Sequence, residues 1–137
     1  NAVFTGNLEK KECVTASLPL YGFMKDNKKD NDLSYYGSDC AAIKKLMSDQ
    51  PGLSEKIHPD LPYTKALVIW AVQQEMAMTV EDVLSRRTRM LILDAKSAIA
   101  SAPLVAAMMA KEMNLSAEWE LQQVKDFMHI AEAYLIN

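Results

Sequence analysis

The chain has 137 residues, 50% of them hydrophobic and 24% charged, with a formal net charge of −3 and a pI near 5.4. That is enough sequence for one domain, and it excludes a dinucleotide-binding domain, a substrate domain and a catalytic site together. The balanced charge excludes a broad basic footprint for nucleic acid, and the longest near-apolar run, Ala102 to Ala110, contains Pro103 and falls far short of the ~20 residues that span a bilayer.

The chain opens on Asn1 rather than Met, with no basic and then apolar leader, which points to a cut fragment; Asn1 and Ala2 read as remnants of a cleaved tag. Cys13 and Cys40 have neither the number nor the spacing of a disulfide framework or a zinc site, and are expected as reduced thiols of a cytosolic protein. All four glycines and four of the five prolines lie at or before Pro62, leaving Pro103 as the one breaker from Tyr63 onward. The second part should therefore be nearly continuous helix. The expected division is a loop-rich segment and linker over 1–35, followed by a helical domain over 36–137.

Taken in order, residues 3–23 mix apolar and turn residues, with Val14, Leu18, Leu20, Tyr21 and Phe23 available for packing. Lys25–Asp32 (KDNKKDND) cannot build a core and reads as a solvated linker. Ser38 is a candidate N-cap for a helix carrying Ile43, Leu46 and Met47 on one face, which Pro51 and Gly52 end. The stretch HPDLPY (58–63) is a proline-stiffened approach to a helix capped by Thr64, with Val68, Ile69, Val72 and Met76 on one face.

A break is expected before Thr79, which with Asp82 forms a loose capping box. Asp94 caps a helix running through Ile99, and Pro103 either opens the next helix or kinks a longer one. Ala106, Met109 and Met113 continue the apolar stripe to Asn114. Ser116 caps a last helix whose apolar face is Val124, Phe127, Met128, Ala131, Tyr134 and Leu135. The expectation is all-α, an irregular bundle of about five helices with an extended N-terminal segment. The nine methionines fall at helical spacing and read first as gap-fillers of the core.

The sharpest chemical feature is that the only three arginines, Arg86, Arg87 and Arg89, fall within four residues. On a continuous helix from Val80 to Leu91, Val83, Leu84 and Leu91 lie within about 60° of Val80 and Arg87 at about −20°, on the apolar face. Arg86 and Arg89 point away, with Asp82 one turn before Arg86. A guanidinium on a buried face needs a carboxylate or carbonyls, and Glu75 is the nearest candidate. The plainer reading is that Arg87 staples two helices together; the functional one is that Arg87 or its neighbours grip an anionic group on a partner domain.

Acid–base and metal readings are weak. His58 and His129 are far apart in sequence, and Asp126 with His129 supplies one carboxylate and one imidazole where a helical di-metal site needs four ligand-bearing helices. No Gly-rich phosphate loop, G-x-S-x-G or Cys/His nucleophile arrangement occurs. The residues themselves nominate no catalytic, cofactor-binding or metal-ligating group.

Residues 59–99, PDLPYTKALVIWAVQQEMAMTVEDVLSRRTRMLILDAKSAI, resemble the helical C-terminal domain of FAD-dependent glycerol-3-phosphate dehydrogenases and the related α-glycerophosphate oxidases. The resemblance is carried by Ala66, Val68, Ala71, Val72, Glu75, Ala77, then by Thr79-Val80-Glu81-Asp82-Val83-Leu84 with Arg86-Arg87-Thr88-Arg89, and by Leu93-Asp94-Ala95. Weaker similarity runs through Tyr36-Gly37-Ser38, Ala110-Lys111-Glu112 and Trp119, so that most of 36–135 is covered. The chain departs from the family at Leu67, where Glu is usual, which removes the acidic half of a capping box on Thr64. With Thr64 as cap, Leu67→Glu should raise the melting temperature; a fall would mean that Leu67 is buried.

The resemblance implies a longer enzyme that oxidises sn-glycerol 3-phosphate to dihydroxyacetone phosphate at FAD and passes electrons to quinone, or to oxygen in oxidases. FAD would belong to that whole enzyme and not to this fragment, which would be a non-catalytic accessory domain packed on the enzyme's own flavin-binding domain. Arg86, Arg87, Arg89, Glu75 and Asp82 are the structural or interdomain candidates. A homo-oligomer is compatible with this reading, quinone and membrane contact would come only through the full-length protein, and nucleic acid is not an expected partner. The expected compartment is cytoplasmic, peripheral at the inner membrane face where the family shows it. The competing readings are a free-standing helical adaptor with a Met-rich groove and an arginine-led DNA-binding module, the latter disfavoured by the net charge.

Overall fold

In the computed structural model, which describes residues 11–20, 22–24 and 33–135, helices joined by short turns account for the regular structure of those residues. A 3₁₀ segment (Ser34–Asp39) leads into α1 (Cys40–Asp49), and a 3₁₀ turn (Pro51–Ser54) follows. Then come α2 (Lys65–Glu75), a π-helical turn (Asp82–Arg87), α3 (Met90–Leu93), α4 (Ala95–Met113) and α5 (Ala117–Glu132). The all-α bundle of about five helices is as expected. An isolated bridge between Lys56 and Thr64 closes the loop that enters α2.

α5 lies along α4, and α2, α3 and the π-turn pack on the other sides of α4, which makes α4 the central element. Ala98, Ala102, Ala106 and Ala110 keep its surface low enough for neighbours to approach, while Val105 and Met109 fill the space between. Phe127 and Ala131 of α5 and Val68 and Ala71 of α2 close this core. A second, smaller cluster joins Leu33, Ile43 of α1, and Ala66, Leu67 and Trp70 of α2, with Tyr63 packed against both clusters. Because α2 is buried on both sides, its run from Ala66 to Trp70 is hydrophobic all round rather than striped.

The helix ends follow local chemistry in several places. Asp94 accepts from the Ser97 N–H at 3.0 Å and Ser116 from the Trp119 N–H at 3.4 Å, so both act as N-caps. Asn114 turns left-handed at φ 56 and lets the Leu115 N–H reach the Ala110 carbonyl at 2.8 Å, ending α4. Pro103 lies inside α4 on its exposed side, so a longer helix continues through it.

Other expectations need correction. Ser38 lies within the 3₁₀ segment, its hydroxyl meeting the Asp39 carboxylate at 3.4 Å, and Asp39 takes the N-cap position of α1 without a side-chain bond. Thr64 does precede α2, but its hydroxyl makes no capping bond and is buried without a partner. Leu67 is buried at 2% exposure because α2 turns that side toward α1. Met76 leaves the apolar face as the left-handed residue that ends α2, and it is exposed. Of the methionines, Met90 and Met109 are fully buried whereas Met24, Met76, Met78 and Met128 are exposed, so gap-filling explains only part of the set. Met128 is exposed because the buried stripe of α5 is the narrower Phe127 and Ala131 line, and Tyr134 and Leu135 are exposed beyond the end of the helix at Glu132.

Ahead of the helices, Val14, Leu18, Leu20 and Phe23 are exposed along an irregular segment. It touches the helical part where the Ser38 N–H donates to the Gly22 carbonyl at 3.1 Å. There Gly37 has φ 56, and a Cβ on it would lie 1.8 Å from the Gly22 oxygen, so only glycine fits. Asn1, Ala2, Tyr21 and the run Lys25–Asp32 expected as a linker lie outside the described residues.

Candidate functional site

The segment between α2 and α3 begins with a reciprocal capping box. Asp82 Oδ2 accepts from the N–H groups of Met78 and Thr79, both at 3.0 Å, and Thr79 Oγ1 accepts from the Asp82 N–H at 3.1 Å. The neighbouring Val80 N–H donates to Gln123 of α5 at 3.1 Å, which ties this start to the main bundle.

Past the box, the continuous helix expected from Val80 to Leu91 does not form. Residues Asp82–Arg87 make a π-turn, and the chain breaks at Arg89, which is left-handed at φ 57. The cause is local. Thr88, buried at 1% exposure, sends both its N–H (2.9 Å) and its hydroxyl (2.8 Å) to the Val83 carbonyl, five residues back. That wider turn takes in one more residue than an α-turn and keeps Val83 and Leu84 buried, with Arg87 half-buried and Arg86 and Arg89 exposed as the helical spacing implied.

The arginines separate into three environments. Arg87 Nη2 donates to the Glu75 carbonyl at 2.7 Å, and its Nε lies 3.1 Å from Glu75 Oε2. The Nε–H does not point at that oxygen, so the side-chain contact is an ion pair without a formed hydrogen bond. Both partners are half-buried, and the carbonyl reached is one that the end of α2 leaves without an intrahelical donor. Arg86 is more exposed and is held by Asp82 and, at 2.8 Å, by Glu81 Oε1. Arg89 is exposed, and among the described residues its guanidinium has no hydrogen bond or ion pair.

Electrostatics follow burial. Burial raises the Glu75 carboxyl above its ordinary range, while Arg87 and a hydrogen bond with Trp70 work in the opposite direction. For Asp82 burial also acts upward, but hydrogen bonds from Met78, Arg86 and Thr79 outweigh it and the carboxyl ends up lowered. Burial holds the hydroxyl of Tyr36 far above its ordinary range, with the neighbouring Tyr35 and Glu75 adding to the effect.

Tyr35 and Tyr63 join the three arginines around a cleft of about 380 Å³. The structure thus brings Arg86, Arg87 and Arg89 to one concavity, with Glu75 and Asp82 behind it as charge partners rather than in its lining. The tyrosines were not legible as cleft residues. Tyr63 was visible only as the end of the proline-stiffened approach, and Tyr35 sits beside the matched Tyr36-Gly37-Ser38.

A larger groove of about 600 Å³ runs between α4 and α5 past Pro103, Leu121, Val124 and Met128, rimmed by charges of both signs. Met128 is the one methionine in its lining, so it is not the Met-rich groove of the adaptor reading. Among the described residues no group of three His, Cys, Asp or Glu side chains, His58 and His129 included, gathers as a metal site. Nor do those residues include the strand, Gly-rich turn and helix that cradle a flavin pyrophosphate. No described helix is long and apolar enough to cross a membrane.

Comparison with known proteins bears on these same residues. A probable mitochondrial glycerol-3-phosphate dehydrogenase of Dictyostelium discoideum is 28% identical over 132 residues, covering 85% of this chain and 20% of its own. A glycerol-3-phosphate dehydrogenase of Synechocystis is 47% identical over 53 residues, covering 39% of this chain and 10% of its own. The chain therefore spans a fifth or less of the length of these relatives. No solved structure matches. The family model for the C-terminal domain of alpha-glycerophosphate oxidase matches residues 13–120, a range that holds the whole arginine cleft and the capping box before it. On that coverage the chain belongs to the family of alpha-glycerophosphate oxidase C-terminal domains.

Proposed function

We propose that this chain is the non-catalytic accessory domain of an FAD-dependent glycerol-3-phosphate dehydrogenase. The longer protein would oxidise sn-glycerol 3-phosphate to dihydroxyacetone phosphate and hand the electrons to quinone. The observation that carries the reading is the family match over 13–120, together with relatives that are several times longer and are named as glycerol-3-phosphate dehydrogenases. FAD in the longer protein supplies the two-electron acceptor. This domain's residues supply a helical body and an arginine-lined cleft that meets the flavin-binding domain. The compartment we propose is cytoplasmic, with any peripheral contact at the inner membrane face made by the longer protein.

The test is purification of the full-length gene product. Flavin absorbance and reduction of a soluble quinone on addition of sn-glycerol 3-phosphate are the expected results, with the isolated 137-residue chain colourless and inactive. Oxygen consumption without quinone reduction would transfer the reading to the oxidases. A product that carries no flavin and leaves glycerol 3-phosphate unchanged would overturn it.

A further inference from the structure

We propose that the arginine cleft is a docking socket for one carboxylate side chain, taken up bidentately by Arg89 with Tyr35 and Tyr63 as its walls. Three arginines in one concavity would ordinarily suggest a phosphate group, and a charge count decides against it. Arg86 lies between Asp82 and Glu81 and Arg87 beside Glu75, so three carboxylates already balance the three guanidiniums, and among the described residues Arg89 is the one arginine of the cleft with no carboxylate of its own. One unpartnered guanidinium in a cluster with no net positive charge suits a monoanion such as Asp or Glu rather than a doubly charged phosphate.

The donors tell the same story. Arg86 spends both terminal nitrogens on its own carboxylates, and Arg87 spends Nη2 on the Glu75 carbonyl while its Nε pairs in charge with the Glu75 carboxylate. Arg89 keeps its whole planar fork, whose two parallel N–H groups match the two oxygens of a carboxylate. The backbone holds that fork in place at a cost. Arg89 is a non-glycine residue at φ 57, between the π-turn and α3, a left-handed conformation that is strained for L-residues and that clusters at functional positions. Its carbonyl accepts from Ile92 and Leu93, both at 3.1 Å, and those two side chains are 68% and 62% exposed. Ile92 and Leu93 line a separate depression with Tyr134 and Leu135, so the two exposed apolar side chains follow Arg89 along the chain without lining its cleft, and leucine-like residues flanking the acidic one are a feature of the probe rather than of the socket.

The source of that carboxylate rests on the accessory-domain reading: an acidic side chain presented by the remainder of the longer polypeptide. The site itself does not rest on it. Because the arginine complement of the chain is only three, the Nε–Hε region of a ¹⁵N–¹H spectrum of the 137-residue chain holds three assignable signals. The probes are the blocked peptide acetyl-Leu-Glu-Leu-amide, its counterpart with Gln in place of Glu, and inorganic phosphate, at matched ionic strength.

The Glu peptide is expected to move the Arg89 signal several-fold more than the Gln peptide at equal concentration, with smaller movements at Arg86 and Arg87. Arg89→Gln should abolish the remaining movements while leaving the thermal midpoint near wild type, since the side chain is exposed; Arg89→Lys, which lacks the fork, should retain only a fraction of them. Equal effects of the two peptides would overturn the proposal. So would phosphate acting more strongly than the Glu peptide, which would make the cleft a phosphate site. Full-length protein without flavin would remove the accessory-domain reading and leave the Arg89 response intact, so the two failures are distinguishable.

Discussion

Arg87 illustrates how one side chain can be placed by its charge even where the helix expected around it does not form. Its need for a carboxylate led to Glu75 from spacing alone, yet the carbonyl at the end of α2 that it also serves was not visible, because that end exists only where Met76 turns left-handed. Arg87→Leu leaves the half-buried Glu75 carboxylate and this carbonyl without their donor. Between an exposed pair and a fully buried one, the expected cost is about 1–3 kcal/mol by urea denaturation at pH 7. The pH dependence carries a sign. Since Glu75 titrates above its ordinary 4.5 in the fold, the native state binds the proton more tightly, and stability falls as pH rises between that value and the raised one. Without Arg87 the carboxyl is raised further, so the variant's deficit should be small below pH 4.5 and grow toward neutrality. A deficit that is equal at both ends would show that charge is not its cause. Leu67 gives a contrasting case. Buried at 2% exposure against the α1 cluster, it cannot host the family's glutamate without burying a carboxylate, and Leu67→Glu should cost about 3 kcal/mol or more, lowering the melting temperature. An increase would mean that the Thr64 hydroxyl can be recruited as a cap after all.

Among elements, the caps at Asp94 and Ser116 and the break before Thr79 were legible because each depends on a side chain within three residues of the backbone it serves. The π-turn was not, since a pattern of Val83, Leu84 and Leu91 fits an α-helix equally well. What shows it is Thr88, whose hydroxyl and N–H both reach the Val83 carbonyl five residues back, where an α-turn would have sent them to Leu84. The turn is launched by Asp82, and Asp82→Ala removes the acceptor of two backbone N–H groups together with the partner of Arg86. The expected loss is about 1–2 kcal/mol near neutral pH, measured by chemical denaturation. Its pH course runs opposite to that of Glu75. Asp82 is held below its ordinary 3.8, so its contribution is complete above that value and disappears as pH falls through the lowered one. Wild type and variant should converge in acid; a gap persisting there would assign the loss to packing instead.

For the whole molecule, the confinement of glycine to the first part of the chain correctly implied a helical second part, but not which helix would be central or that α2 would serve two clusters at once. That sharing has a consequence for cooperativity. Val68 and Ala71 belong to the main core, Ala66, Leu67 and Trp70 to the smaller one, and Tyr63 packs on both, so neither cluster can dissolve without uncovering part of α2. Phe127, 1% exposed in the main core, lies in the other cluster from Trp70, which makes the two a test pair. Phe127→Ala should cost about 3–5 kcal/mol, a large share of the 5–15 kcal/mol by which a domain is ordinarily stable. For a chain of this size that lowers the melting temperature by about 10–20 °C. If α2 couples the clusters, far-UV circular dichroism and the fluorescence of Trp70, read in a Trp119→Phe background, shift together and give one midpoint. If Trp70 keeps the wild-type midpoint while helicity is lost early, the smaller cluster is an independent unit and α2 does not transmit the loss.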